Sequence, residues 1–414
     1  MRSRVRDNAV AGGVALLAIY VVGWLTLYGW AWTDYDDEVR PAFDALVNGH
    51  LLHFLQLAPS YGGSLILRAP FVLATKIWGG GELAIYRAAA APCLAAAAIF
   101  AVWLVARLRT LGCSRTARGL ALLLCVANPI VLPALEIGHP EELLGAVLCV
   151  AAVLAAMDGR PVWAGVLLGL AVANKEWAVL AVGPVLVALP EKRIRALTVA
   201  GGLAAVILAP LLVGGSSGVI SQVKPSSAAT SAIFQPWQAW WFLGSHGHVV
   251  KGLYGNIKVG YRTPPGWIET VGHPLIVAVS LPLTLLCLGR GRGGSRLAPN
   301  AALLLLVLLL LLRCVLDPWD TSYYSLPFLI ALLTWESLTF ARPPVLALGA
   351  SFAAWFVFQA TAQRFALSAD MQSLIFLACA VPVTIAIAAA LYAPGLGERL
   401  TLRARRRSAV LSTA

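Results

Sequence analysis

The chain has 414 residues, of which 59% are hydrophobic and only 12% charged, whereas soluble domains lie near about 45–50% apolar and 25% charged. This excludes a water-soluble protein. At about 20 apolar residues per crossing it allows an all-α, polytopic membrane helix bundle of about 11–13 spans, one membrane domain over 1–414. The net charge of +12 does not point to nucleic acid as a partner, because the basic residues flank apolar runs instead of forming one face interleaved with aromatics.

The first element, MRSRVRDNAVAGGVALLAIYVVGWLTLYGW, joins a basic start to an apolar run longer than a signal-peptide core, with no small-residue cleavage site. A retained span near 9–30 is expected. Further spans are expected near 86–108, 118–137, 141–157, a broken pair at 161–174 and 176–190, then 196–214, 273–289, 299–315, 323–341, 343–361 and 373–392. Twenty of the 31 Lys and Arg residues fall between these runs in seven clusters: 2–6, 107–118, Arg160, 192–195, 290–296, Arg342 and 399–407. By the positive-inside rule these connections and both termini are cytoplasmic. Two long loops, 31–85 and 215–272, are left on the extracytoplasmic side.

The first loop opens with WTDYDDEVRPAF at 32–43, which crowds Asp34, Asp36, Asp37 and Glu38 beside the membrane. The stretch PAFDALVNGHLLHFL (41–55) places Phe43, Leu46, Val47, Leu51 and Phe54 at helical spacing behind a helix-starting proline, which predicts an amphipathic helix on the membrane surface. GGSLILRAPFVLATKIW (62–78) is apolar but short and carries Arg68 and Lys76, which predicts a second interfacial helix. The acids have two readings: a solvated loop start at a helix N-terminus, or a general base facing a lipid-borne hydroxyl. Asp34 is expected to cap the span and Glu38 to favour the next helix, leaving Asp36 and Asp37 as the base candidates.

A first span, an acidic D-x-D-D-E motif with Ala45, Leu46 and Gly49 following it, and two surface helices before the second span resemble the layout of the GT-C integral membrane glycosyltransferases. Segment 136–189 is similar to the central part of the actinobacterial polyprenol-phosphate-mannose-dependent mannosyltransferases: a polar turn at Gly138–Glu142, then Ala164, Gly165, Gly169 and Ala171 on a small-residue helix ending at Lys175. The resemblance implies a membrane enzyme that takes a sugar, mannose as the first expectation, from a polyprenyl-phosphate donor without a cofactor. The family's Asp-then-Glu pair falls on Asp37–Glu38, which favours Asp37 over Asp36.

His139, Glu141 and Glu142 open a predicted helix; they are either N-terminal capping acids or acceptor contacts. Lys175 and Glu176 interrupt a long apolar run, and a charge there costs about 2.5–3.5 kcal/mol. They either pair with each other or mark a broken helix whose tip offers Lys175 to a phosphate. Asp317, Asp320, Tyr323 and Tyr324 lie at another outer helix end, as aromatic-belt residues or acceptor contacts. The second loop carries Trp237, Trp240, Trp241 and Trp267, which anchor an interfacial helix or stack on sugars. It also carries His246, His248, Lys251, Lys258 and Arg262, an outward basic group suited to a lipid phosphate. The seven cysteines are scattered without paired spacing and read as buried hydrophobes, no second cluster matches the acids as metal ligands, and no Walker or Rossmann pattern follows a strand.

Together these expectations describe an inverting transfer from a polyprenyl-phosphate sugar to a lipid or glycan acceptor, with Asp37 or Asp36 as base. Lys175, His248, Lys251, Lys258 and Arg262 hold the donor phosphate, and His139, Glu141, Glu142, Asp320, Tyr323 and Tyr324 contact the acceptor. The alternative is a transporter or flippase of a lipid-linked saccharide, which should show an internal repeat with matching broken helices. The 299–392 half offers no counterpart to the break near Asn174.

Overall fold

The computed structural model describes residues 2–25, 34–77, 79–216, 234–246, 250–251, 257–258, 260–292 and 300–393. Its elements are α1 (Arg2–Leu25), a π-helical turn (Tyr35–Val39), α2 (Arg40–Val47), α3 (Leu51–Leu57), α4 (Gly62–Ala74), α5 (Glu82–Thr110), α6 (Arg115–Val126), α7 (Val131–Ile137), α8 (Pro140–Met157) and α9 (Pro161–Asn174). After a 3₁₀ segment (Glu176–Ala181) come α10 (Val182–Ala188), α11 (Arg193–Gly214), α12 (Gly266–Arg292), α13 (Ala301–Leu316), α14 (Ser325–Phe340), α15 (Val345–Trp355) and α16 (Ala369–Tyr392). The two-residue strands β1 (Val250–Lys251) and β2 (Ile257–Lys258) pair antiparallel in the second loop. The protein is therefore a polytopic, essentially all-helical membrane bundle. Seven described segments are long and apolar enough to cross a membrane: 82–110, 115–137, 140–157, 193–214, 270–290, 345–364 and 369–392. Four shorter apolar helices accompany them.

Helix α13, AALLLLVLLLLLRCVL, is apolar on every face, and such a helix must be enclosed on every face. It is buried along nearly its whole length, packed against α14, α16 and α12. The next layer includes α8, gripped by α9, α5 and α14. Helices α11, α12 and α16 leave large apolar side chains exposed, among them Val206, Leu285 and Ile385, as a lipid-facing surface requires. Helices α9 and α11 approach closely because a Cβ on Gly165 would lie 2.5 Å from the Ala196 carbonyl oxygen and one on Gly169 2.7 Å from that of Ala200. The small-residue row read from the sequence is thus a helix-packing seam.

Two expected helices are each divided. Segment 41–55 forms α2 and α3, separated at Asn48–Gly49, where Gly49 has φ +83°. Phe43, Leu46 and Phe54 are buried in a common cluster while Leu51 is exposed, because the break turns α3 away from the register of α2. Segment 118–137 breaks into α6 and α7 around Asn128, whose Oδ1 accepts from the Ile130 N–H (3.0 Å) and whose Nδ2 donates to Ser351 (2.8 Å). Helix α4 packs on α5, α2, α9 and α11.

Candidate functional site

A polar cluster is assembled where the apolar packing is interrupted at the N-terminus of α8. Gly138 ends α7 with φ +114°, a left-handed conformation that favours glycine, and a Cβ there would stand 2.5 Å from Cβ of Tyr35. This reversal brings His139 out of α7 and starts α8 at Pro140, with Glu141 and Glu142 in its first turn, where the helix dipole favours acids. Both carboxylates are fully buried. On the facing element, α9 stops at Asn174 and Lys175 is extended before the 3₁₀ segment, so the broken helix expected from the sequence is present. Asn174 Nδ2 ties the break to α8 by donating to the Glu141 carbonyl at 2.9 Å.

Lys175 turns to α8 and forms no ion pair with Glu176: its Nζ lies 3.3 Å from Glu141 Oε1 and 3.4 Å from Glu142 Oε1. Two buried arginines complete the set. Arg68 Nη1 of α4 lies 3.4 Å from Glu141 Oε2, and Arg313 of α13 sets Nη2 3.4 Å from Glu142 Oε1. Trp177 Nε1 donates to the same Glu142 oxygen at 3.2 Å. Aromatic faces cover the cations: Lys175 sits 3.9 Å from the Tyr61 ring centroid, and Arg313 lies between Tyr324 (4.1 Å) and Trp177 (4.7 Å). Isolated charges at this depth would be prohibitive, and mutual pairing with oriented donors makes them tolerable.

His139 links this core to the acidic segment. Its Nδ1 is 2.6 Å from Glu141 Oε1, its Nε2 is 3.0 Å from Asp34 Oδ2, and the Tyr323 ring packs at 4.2 Å. The Tyr323 hydroxyl reaches the same Asp34 oxygen at 3.5 Å. The π-helical turn decides which acids join. Tyr35 and Val39 occupy its buried side, with Tyr35 edge-on to Tyr86 at 4.9 Å, which leaves Asp37 exposed. Asp36 pairs with Arg40 (3.3 Å), which also holds Asp44 (3.6 Å) and Glu82 (2.7 Å). Glu38 accepts a hydrogen bond from the Tyr61 hydroxyl.

Of the residues singled out in the sequence, His139, Glu141, Glu142, Lys175, Tyr323 and Tyr324 converge on one site, whereas Asp36 and Asp37 lie on the exposed side of the turn. Asp320 is buried in the connection between α13 and α14, and burial, then the charge of Asp317, pushes its carboxyl well above the usual range. Arg262 is committed elsewhere: its Nε and Nη2 grip Asp370 at the start of α16 (2.9 and 3.0 Å), which also accepts from Trp241 Nε1 (2.7 Å) and lies 3.1 Å from His246 Nε2. That arrangement fastens the second loop to α16, apart from the cluster at His139. Lys251 and Lys258 stand on β1 and β2, and His248 lies outside the described residues. Among the described residues no group of three or more His, Cys, Asp or Glu is placed to share a metal ion.

Sequence reasoning missed Arg313, Tyr61 and Trp177, took Arg68 as the mark of an interfacial helix, and gave Asp34 only a capping role. Arg313 carried a signal: it is the one charge in α13, and an intramembrane cation asks for a partner as Lys175 does. The chain matches no protein-family model, no curated protein and no solved structure.

Proposed function

We propose that the protein is a membrane glycosyltransferase of the GT-C type, transferring a sugar from a polyprenyl-phosphate donor to an extracytoplasmic lipid or glycan acceptor with inversion at C1. The observation that carries the reading is the link from Asp34, a partly exposed carboxylate just ahead of the π-helical turn, through His139 and the carboxylates of Glu141 and Glu142 to a buried set of cations, Lys175, Arg68 and Arg313. A displacement of a phosphate leaving group needs a proton acceptor on one side and positive charge on the other. In the proposed step the acceptor oxygen bonds to C1 and its proton passes to the carboxylate. The bond from C1 to the phosphate oxygen breaks, with its electron pair leaving on polyprenyl phosphate. Lys175, the cation of the set on the broken helix, is the proposed phosphate contact.

Geometry favours Asp34 over Asp37 and Asp36 as the proton acceptor, because Asp34 is joined to the buried cluster by hydrogen bonds to His139 and Tyr323, while Asp36 pairs with Arg40 and Asp37 lies on the exposed side of the turn. The proposed orientation places 31–85 and 215–272 outside, with the seven basic clusters and both termini in the cytoplasm. Purified protein in nanodiscs, given a panel of radiolabelled polyprenyl-phosphate sugars and cell-envelope lipids, should transfer label and release polyprenyl phosphate. Absence of transfer from every donor would sink the proposal. For orientation, Asn48→Cys should react with an impermeant thiol reagent in intact cells and Arg115→Cys should not.

A further inference from the structure

One imidazole stands between two carboxylates from distant parts of the chain. Nδ1 of His139 faces Glu141 Oε1 at 2.6 Å and Nε2 faces Asp34 Oδ2 at 3.0 Å. A neutral imidazole has one N–H, so in that form one contact would press a nitrogen lone pair against a carboxylate oxygen; the doubly protonated ring donates to both. The ring is also confined. It is 2% exposed, lies between Tyr323 at 4.2 Å and Tyr61 at 5.7 Å, and stands on a backbone reversal that Gly138 makes possible.

We propose that His139 is the positioning residue of the transfer reaction: held by Glu141, its imidazolium fixes the direction of the Asp34 carboxylate and keeps it ionised toward the acceptor hydroxyl. The inference rests on the reading of Asp34 as proton acceptor. Glu141 is itself held by Lys175 and Arg68, so the chain Arg68/Lys175–Glu141–His139–Asp34 carries the rigidity of α4, α8 and α9 to a carboxylate that precedes a short turn. A misplacement of about 1 Å at a reacting group costs about 10²-fold in rate.

The groups facing His139 are Asp34 ahead of the π-helical turn, Glu141 of α8, Lys175 after α9, Tyr61 ahead of α4 and Tyr323 ahead of α14. Burial by itself would lower the imidazole pKa and Lys175 opposes protonation, but Glu141 and the two hydrogen bonds prevail and raise it from 6.5 to about 9. Burial pushes the Tyr61 and Tyr323 hydroxyls up as well, so both stay neutral through this range. Because the folded value lies above the ordinary one, the stabilisation is complete below about pH 6.5 and disappears as pH rises through about 9.

The test uses ¹⁵N-histidine-labelled full-length protein in nanodiscs, where the six histidines are resolved and the His139 signal is identified by its loss in His139→Gln. Both His139 nitrogens should be protonated at pH 7.5, and Asp34→Asn should lower its titration midpoint by about one unit. In transfer assays His139→Gln should lower kcat about 10²-fold with donor KM within about twofold, remove the alkaline limb near pH 9, and move the acid limb upward. A His139 that titrates near 6.5 and ignores Asp34→Asn overturns the proposal, as does a His139→Gln enzyme with the wild-type pH profile. Should no donor be turned over, the proposed function fails while the spectra still decide whether Asp34 and His139 are coupled. Should His139→Gln fail to fold, single substitutions of the other five histidines identify the His139 signal by elimination and the Asp34→Asn spectra decide alone.

Discussion

Arg68 and Glu141 form an ion pair inside the bundle, Nη1 to Oε2 at 3.4 Å, with side-chain exposures of 1% and 0%. The arginine lies on α4, a helix whose sequence reads as an interfacial segment, and the glutamate starts α8. Removing one partner leaves a buried charge short of compensation, which typically costs about 3–5 kcal/mol. Arg68→Met should therefore destabilise the protein by about 3 kcal/mol, the low end, because Lys175 and His139 still face Glu141. Pairing it with Glu141→Gln should recover part of the loss. Thermal unfolding in detergent measures both, and strictly additive effects would mean that the two residues do not interact.

Asp34 and Asp37 separate by the face they occupy on one short turn. A general base contributes about 10²–10⁴-fold in rate, so Asp34→Asn should lose that much turnover with the fold intact. Asp37→Asn, on the exposed side, should stay within about threefold of wild type. Initial rates of the purified variants decide between this ordering and the one expected from the motif alone, in which Asp37 is essential.

Gly138 has a left-handed backbone and no room for a methyl group, with Tyr35 Cβ 2.5 Å from the position a Cβ would take. The conformation alone costs an alanine about 1–2 kcal/mol, and the clash adds to it. Gly138→Ala should lower stability by more than about 2 kcal/mol and push the Tyr35 turn, and Asp34 with it, away from His139. A melting temperature equal to wild type would show that the two segments are not in contact.

Asp370 gathers Arg262, Trp241 and His246. Asp370→Asn keeps the size but removes the charge. It should speed limited tryptic cleavage after Arg262 by about tenfold, equivalent to about 1.4 kcal/mol of lost local closure, without changing the melting temperature of the bundle by more than a few degrees. Unchanged cleavage would assign the fastening of this loop to its packing on α13, where the Ala239 N–H donates to the Val315 carbonyl at 2.8 Å.

The order of the helices, their approximate limits, the break at Asn174–Lys175 and the membrane class were legible in the residues themselves. These follow from local properties: run length, charge placement, proline and small-residue spacing, each of which acts through neighbouring positions in the chain. The convergence of His139, Glu141, Glu142 and Lys175 was visible only as polar residues that an apolar run had to justify. Which charge satisfies which was decided by the tertiary structure. Arg68, Arg313 and Asp34 find their partners 73, 171 and 105 positions away, and no periodicity reports a contact at that separation. The same holds for the acidic motif: four neighbouring carboxylates look alike in sequence, and only the burial of Tyr35 and Val39 against the bundle turns Asp34 toward His139 and leaves Asp37 exposed.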